Sequence, residues 1–240
     1  MTLLLLAALL QAPIEEPRAS LRGRFLVAET GEPVSGVTVE ISTQLHGQPV
    51  DRSTRSDADG GFAFEGLPAG AWSLWARKTG YLPAAGFPIT VPLEARQSRS
   101  DLVFRFHRHG IITGAVSDAE GNPAIGAAVT VYRYNWVEGR RSLRRVATAW
   151  ADDRGIYRLF GLPAGAYLAG AVAPSSESLD GEVREQPITF YPSGTHHAEA
   201  GRIQLRWGQE LGDVNLTLRY QPGYSISGMV TDVQTGGPCR

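Results

Sequence analysis

The sequence predicts an all-β protein made of two Greek-key β-sandwiches in tandem, each with about seven strands. The pentapeptide GLPAG at residues 66–70 returns letter for letter at residues 161–165. Short stretches of alternating apolar and polar residues flank both copies, as is typical of half-buried strands. The 28 glycines and 15 prolines supply the many tight turns that such a fold needs. With 240 residues, the chain is long enough for two separate cores.

Alignment of the two copies predicts the domain boundaries. Residues 1–20 are expected to form a signal peptide and linker. Module 1 is expected at residues 21–108 and module 2, a longer variant, at residues 109–221. Residues 222–240 are expected to be the first strand of a truncated third module, which indicates a longer repeat protein.

The strand pattern repeats in order within the two modules. Module 1 begins with a predicted strand at residues 21–27, and a second strand buries Val37, Val39 and Ile41 by alternation. Module 2 repeats both strands, at residues 111–116 and with Ala127, Val129 and Val131.

The offset in residue number between matching positions of the two modules changes within one connection. Matching residues lie 90 or 91 positions apart before it and 95 positions apart after it. The extra residues fall between Trp136 and Val146 and are expected to form a longer surface loop. This stretch contains a cluster of four arginines: Arg140, Arg141, Arg144 and Arg145. A solvated hairpin tip is the favoured interpretation of the cluster, and a site for an acidic partner is the alternative.

The amino terminus and the composition restrict the location and the partners. Residues 3–10 are an unbroken apolar run, too short to span a bilayer and typical of a signal-peptide core. We therefore expect an extracytoplasmic protein without a transmembrane segment, and a misassigned start codon is the alternative. The net charge of −1 argues against nucleic acid as a partner, and the single cysteine, Cys239, excludes an internal disulfide.

Two groups of residues could bind a metal ion. The run Asp57-Ala58-Asp59-Gly60 resembles half of a calcium loop. The matching run in module 2 retains only the first carboxylate, Asp152, which favours a turn in which that side chain bonds to its own backbone. Five histidines form the second group, and they are interpreted as loop residues: His46, His107, His109, His196 and His197. No serine lies on a nucleophile elbow. The sequence thus predicts no catalytic residue, no metal site, no cofactor and no enzymatic activity.

The candidate ligand-binding residues are aromatic. Tyr132, Tyr134 and Trp136 alternate along a strand, and their period of two places them opposite Val129 and Val131. Module 1 has Ser42, Gln44 and His46 at these positions, counted with the offset of 90. A fourth candidate, Trp75, is replaced by glycine in module 2. A row of rings on a flat face suits sugar rings or peptides, but residues 174–208 or a neighbouring module could instead cover it.

Three features of module 2 resemble the carboxypeptidase regulatory-like domain, a transthyretin-like and collagen-adhesin B-type β-sandwich found in tandem in bacterial secreted proteins. They are the GNP turn at residues 121–123, the stretch DDRGIY at residues 152–157, and the stretch GLPAGAY at residues 161–167. Module 1 repeats these features in part.

The resemblance implies a non-catalytic structural spacer or protein-interaction module of a larger protein. Its expected partners are other domains of the same chain, and a polysaccharide or a cell-surface protein is the alternative partner. A carbohydrate-binding module that uses the aromatic row is the first alternative. An accessory or regulatory domain of a fused peptidase or outer-membrane transporter is the second.

Overall fold

A computed structural model describes residues 18–174 and 187–219 of the chain. It divides into two compact units, the first ending at His109 and the second beginning at Gly110. Both units consist of strands, which confirms the predicted all-β class. The apolar run at residues 3–10 and the expected third module at residues 222–240 lie outside the described residues.

Module 1 consists of two four-stranded sheets that enclose one core. Its strands are β1 (Ala19–Val27), β2 (Thr38–Leu45), β3 (Gln48–Arg55), β4 (Gly61–Leu67), β5 (Gly70–Arg77), β6 (Tyr81–Pro83), β7 (Ile89–Leu93) and β8 (Ser98–Arg108). The strand orders are β4-β1-β8-β6 and β3-β2-β5-β7. There are eight strands rather than about seven, because the short β6 pairs with β8 at the edge of its sheet.

Module 2 repeats this plan with a more broken final segment. Its strands are β9 (Gly110–Ser117), β10 (Ala128–Val137), β11 (Arg140–Trp150), β12 (Ile156–Leu162), β13 (Gly165–Val172), β14 (Thr189–Phe190), β15 (Ile203–Leu205), β16 (Glu210–Leu211) and β17 (Leu216–Thr217). One sheet has the order β11-β10-β13-β14, with β15 also on β13, and the other has the order β12-β9-β16, with β17 also on β9. Both β16 and β17 run parallel to β9, as β8 runs parallel to β1.

The repeated pentapeptide closes one end of each core. Its leucine is buried in both copies, and so is the aromatic residue that follows, Trp72 or Tyr167. The indole Nε1–H of Trp72 donates to the carbonyl of Pro68 at 3.2 Å, and the hydroxyl of Tyr167 donates to the carbonyl of Pro163 at 2.6 Å. Each large ring is therefore buried with its polar tip satisfied, which is what a buried Trp or Tyr requires. The repeat is a structural corner in both modules.

The aspartate turns also repeat at the level of single hydrogen bonds. Oδ1 of Asp57 accepts from the backbone N–H groups of Asp59, at 3.0 Å, and Gly61, at 2.7 Å. Oδ1 of Asp152 accepts from those of Arg154, at 3.0 Å, and Ile156, at 2.8 Å. These contacts support the turn interpretation over the calcium loop. The bond from Ile156 favours the ionised carboxylate and is the main cause of the lowered pKa of Asp152.

The expected loop insertion in module 2 is wrong. Both hairpins turn through two residues, His46-Gly47 in module 1 and Glu138-Gly139 in module 2, and the first residue of each turn has φ of 49°. The extra residues instead lengthen β10 and β11 beyond the pairing of β2 with β3, and they leave Val146 unpaired in a bulge. The arginine cluster at residues 140–145 is consequently part of strand β11. Counted from the core positions Val39 and Val129, the end of β2 at Leu45 corresponds to Asn135, whereas β10 continues to Val137. Trp136 therefore lies in the extension of β10.

The aspartate turn of module 2 predicts a pH-dependent stability. Asp152→Ala should lower the free energy of unfolding at neutral pH, because two backbone N–H groups lose their acceptor. A carboxyl group with a lowered folded-state pKa stabilises above its unfolded pKa, here 3.8, and loses that effect as the pH falls through the folded value. The difference in the free energy of unfolding between wild type and Asp152→Ala, measured by urea titration, should therefore become smaller below pH 3.8.

Asp153→Ala is the matched control, since the described residues offer its side chain no hydrogen bond. An equal loss of stability in Asp153→Ala would contradict the turn interpretation. So would a rise in the unfolding temperature of the wild type on addition of calcium chloride that Asp152→Ala abolishes.

Candidate functional site

The alternation of β10 decides which side chains reach the outer face of module 2. Val129 and Val131 are fully buried in the core. Successive side chains of a strand point to opposite faces, so Tyr132, Tyr134 and Trp136 project outward. Tyr132 and Tyr134 are half-buried, and Trp136 is 69% exposed.

The hairpin partner brings basic side chains to the same face. Beyond the bulge at Val146, Arg141 lies directly opposite Trp136, and Arg145 lies opposite Tyr132. Residues directly opposite each other in an antiparallel pair share a face. The Arg141 guanidinium stacks on the Tyr134 ring, 4.0 Å from its centroid. This contact is a cation–π interaction.

A groove of about 430 Å³ is lined by side chains of this face together with Arg133 and Tyr167, which lie on the core-facing side of their strands. Its lining combines aromatic and arginine side chains from β10, from the neighbouring strands and from the residue before β15. The lining residues are Tyr132, Arg133, Tyr134, Trp136, Arg141, Ala166, Tyr167, Leu168 and Arg202. Three of them are arginines, and no acidic residue of the described chain is among them.

Arg133 is held in position at the inner edge of the groove. It follows Val131 on the core-facing side of β10, where its guanidinium stacks on the ring of buried Tyr167, 4.6 Å from the centroid. Its Nη2 also donates to the carbonyl of Ala164. Burial raises the pKa of Tyr167, and the positive charge of Arg133 opposes that rise. The groove therefore has a fixed cation at its base.

One end of the aromatic row is partly covered. The Phe190 ring lies 6.1 Å from the Tyr132 ring, measured between centroids, and Phe190 in turn contacts His197. Phe190 and His197 belong to residues 174–208, the segment of module 2 that the sequence suggested could cover the aromatic row. At the other end, Trp136 is exposed. The accessible part of the row is thus the half that includes Tyr134 and Trp136.

The fourth candidate, Trp75, belongs to module 1 and lines a separate cavity. It is 39% exposed and lies opposite Glu40 on the corresponding sheet face. Its cavity, of about 490 Å³, also includes Asp51 and Arg52. This face differs from that of module 2 because it carries carboxylates.

The histidines do not assemble a metal site in the described part of the chain. No group of three or more metal-binding side chains occurs among residues 18–174 and 187–219. His196 and His197 stack on each other, with ring centroids 4.2 Å apart, and Nδ1 of His196 accepts from the backbone N–H of Ala198 at 3.2 Å. His107 bonds to Glu29.

The sequence named Tyr132, Tyr134 and Trp136 as candidates, and it named Arg141 only as a member of the arginine cluster. That cluster was assigned to a loop tip, and the sequence pattern gave Arg133 no role. Arg202 reaches the groove because β15 pairs with β13. No local pattern in the sequence indicates that pairing.

Residues 20–104 match the family model of the carboxypeptidase regulatory-like domain. Module 1 is therefore similar to the carboxypeptidase regulatory-like domain. The resemblance read from the sequence is thus confirmed for this part of the chain. No curated protein matches the sequence.

Several solved structures resemble the chain at low identity. The TIE protein of Bacillus anthracis is 16% identical with a TM-score of 0.35, over 84% of this chain and 34% of that one. The minor pilin GBS52 of Streptococcus agalactiae is 14% identical with a TM-score of 0.42, over 88% and 99%. A streptococcal ancillary pilin is 12% identical with a TM-score of 0.41, over 85% and 63%. The chain therefore spans about a third of the TIE structure.

A search of the described residues for a membrane-crossing helix finds none of sufficient length and apolarity.

Proposed function

We propose that the chain is a non-catalytic, extracytoplasmic interaction module of a larger protein, with its binding face on module 2. The observation that carries this proposal is the contrast between what the two modules share and what they do not. Their shared features are structural: the buried leucine of the pentapeptide, the aromatic ring bonded to a proline carbonyl, and the aspartate turn.

The unshared features are concentrated on one sheet face. The lengthened hairpin of module 2 carries Trp136 and Arg141 in the parts of β10 and β11 that extend beyond the lengths of β2 and β3. Single exposed rings such as Trp150 are common on protein surfaces, but Trp136 continues a row of rings with Tyr134, and such a patch favours a binding role. The apolar run at residues 3–10 supports an exported protein.

The absence of catalysis is tested directly with the purified chain. We expect no turnover of peptide, ester or polysaccharide substrates above buffer. A hydrolytic activity that one substitution within residues 18–219 removes, without loss of folding, would overturn the proposal.

Carbohydrate is the ligand class that the groove suits best, and it is our second, more specific proposal. Aromatic rings offer flat apolar surfaces, and the axial faces of sugar rings carry C–H groups that pack against them. Tyr134 and Trp136 are two positions apart on one strand, about 7 Å along its axis, so both rings can contact one extended chain.

Trp136→Ala should reduce binding of the full chain to polysaccharide at least about tenfold, a loss of roughly 1.4 kcal/mol. The measurement is depletion or calorimetric binding with a panel that includes cellulose, xylan, chitin, polygalacturonate and peptidoglycan. The matched control is Trp150→Ala, since Trp150 is 70% exposed on β11 but does not line the groove. Equal binding by both variants would contradict this site, and no binding to any polysaccharide would contradict the ligand class.

A further inference from the structure

We propose that the groove of module 2 selects an acidic glycan, one whose sugar rings carry carboxylate groups. The inference rests on the carbohydrate-binding role proposed above and goes beyond it by assigning a charge to the ligand.

The charge of the groove is the first argument. Arg133, Arg141 and Arg202 line it without any acidic residue of the described chain. The ion pairs among the described residues involve none of these three arginines. Arg145, opposite Tyr132, adds a further cation to the same face. Positive charges that converge on a groove and have no acidic partner among the described residues are complementary to an anionic occupant.

The orientation of the arginines is the second argument. The Arg141 guanidinium lies over the Tyr134 ring, and the described residues offer its N–H groups no hydrogen-bond acceptor. Those groups form the planar fork that binds a carboxylate through two parallel hydrogen bonds. Arg133 already donates Nη2 to Ala164 and is fixed by that bond. Stacked guanidinium groups also lose less conformational entropy on binding than free ones.

The combination of rings and cations favours a glycan over an acidic peptide. Carboxylates of a peptide lie at the ends of flexible side chains, whose ordering opposes binding. In an acidic sugar the carboxylate is attached directly to the ring. A ring stacked on Trp136 would therefore present its carboxylate close to Arg141, which lies directly across the strand pair.

Module 1 provides an internal comparison. The corresponding face around Trp75 includes Glu40 and Asp51 and only one arginine, Arg52. Glu40 is itself paired with Arg77 at 2.7 Å. The two carboxylates on that face are balanced by Arg52 and Arg77, so it lacks the uncompensated positive charge of the module 2 groove. The preference for an acidic glycan is therefore assigned to module 2 alone.

The test is calorimetric titration of the full chain with three probes of matched length: oligogalacturonate, its methyl ester, and oligoglutamate. The ester has the same sugar rings without charge, and the peptide has the charge without rings. We expect oligogalacturonate to bind at least about tenfold more tightly than either of the others, with an affinity that falls as salt is raised.

Substitutions of the groove arginines test whether these side chains cause the preference for oligogalacturonate. Arg141→Gln combined with Arg202→Gln should weaken the binding of oligogalacturonate about tenfold or more and leave the ester nearly unchanged. The control Arg52→Gln should change neither the affinity for oligogalacturonate nor the affinity for its ester. Arg141 and Arg202 are exposed, so the double variant should unfold at the wild-type temperature.

The outcomes separate the two proposals. Equal affinity for oligogalacturonate and its ester would overturn the acidic selectivity while leaving carbohydrate binding intact. If oligoglutamate binds as tightly as oligogalacturonate, the proposal of a glycan ligand is overturned in favour of an acidic peptide. Binding of none of the three probes would overturn the acidic-glycan inference, and the wider panel above would then decide the function separately.

Discussion

The burial of Val129 and Val131 is the constraint on which the binding face depends. Both side chains are fully inside the core of module 2, and each contributes roughly 1.5–3 kcal/mol by leaving water. A slip of β10 by one residue would expose both valines and turn the tyrosines inward, a loss of several kcal/mol. The orientation of Tyr132, Tyr134 and Trp136 is therefore set by the core and not by any ligand. Arg141 and Arg145 then reach the same face because β11 is paired with β10 across the bulge.

The two modules divide the chain into a repeated framework and a variable face. The repeated framework is satisfied internally: the buried ring at each corner donates to a proline carbonyl, and each turn aspartate accepts from its own backbone. The variable face is the outer side of the β10–β11 hairpin, which is longer than its counterpart in module 1. A fold that keeps its core fixed can change such a face at little cost to stability, since surface substitutions usually alter it by less than about 0.5 kcal/mol.

Much of the framework could be predicted from the sequence, because its signals are local or repeated. Alternation placed Val129 and Val131 in the core, and the comparison of Asp57 with Asp152 identified a turn. The form of the hairpin could not be read in the same way. Five extra residues can form a loop or extend two strands, and only the pairing of β10 with β11 shows that they do the latter, with Val146 left over. Arg202 was missed because a contact between β15 and β13 depends on tertiary structure, not on sequence spacing.

The proposed binding site of module 2 requires that a ligand stacks on Trp136 beside Arg141. The most direct measurement follows the five tryptophan indole N–H signals by NMR while oligogalacturonate is added to the full chain. We expect the Trp136 signal to shift until the site is saturated with ligand, while the signals of exposed Trp150 and of buried Trp72 stay in place. A shift of the Trp150 signal without one from Trp136, or no shift of any indole, would contradict it.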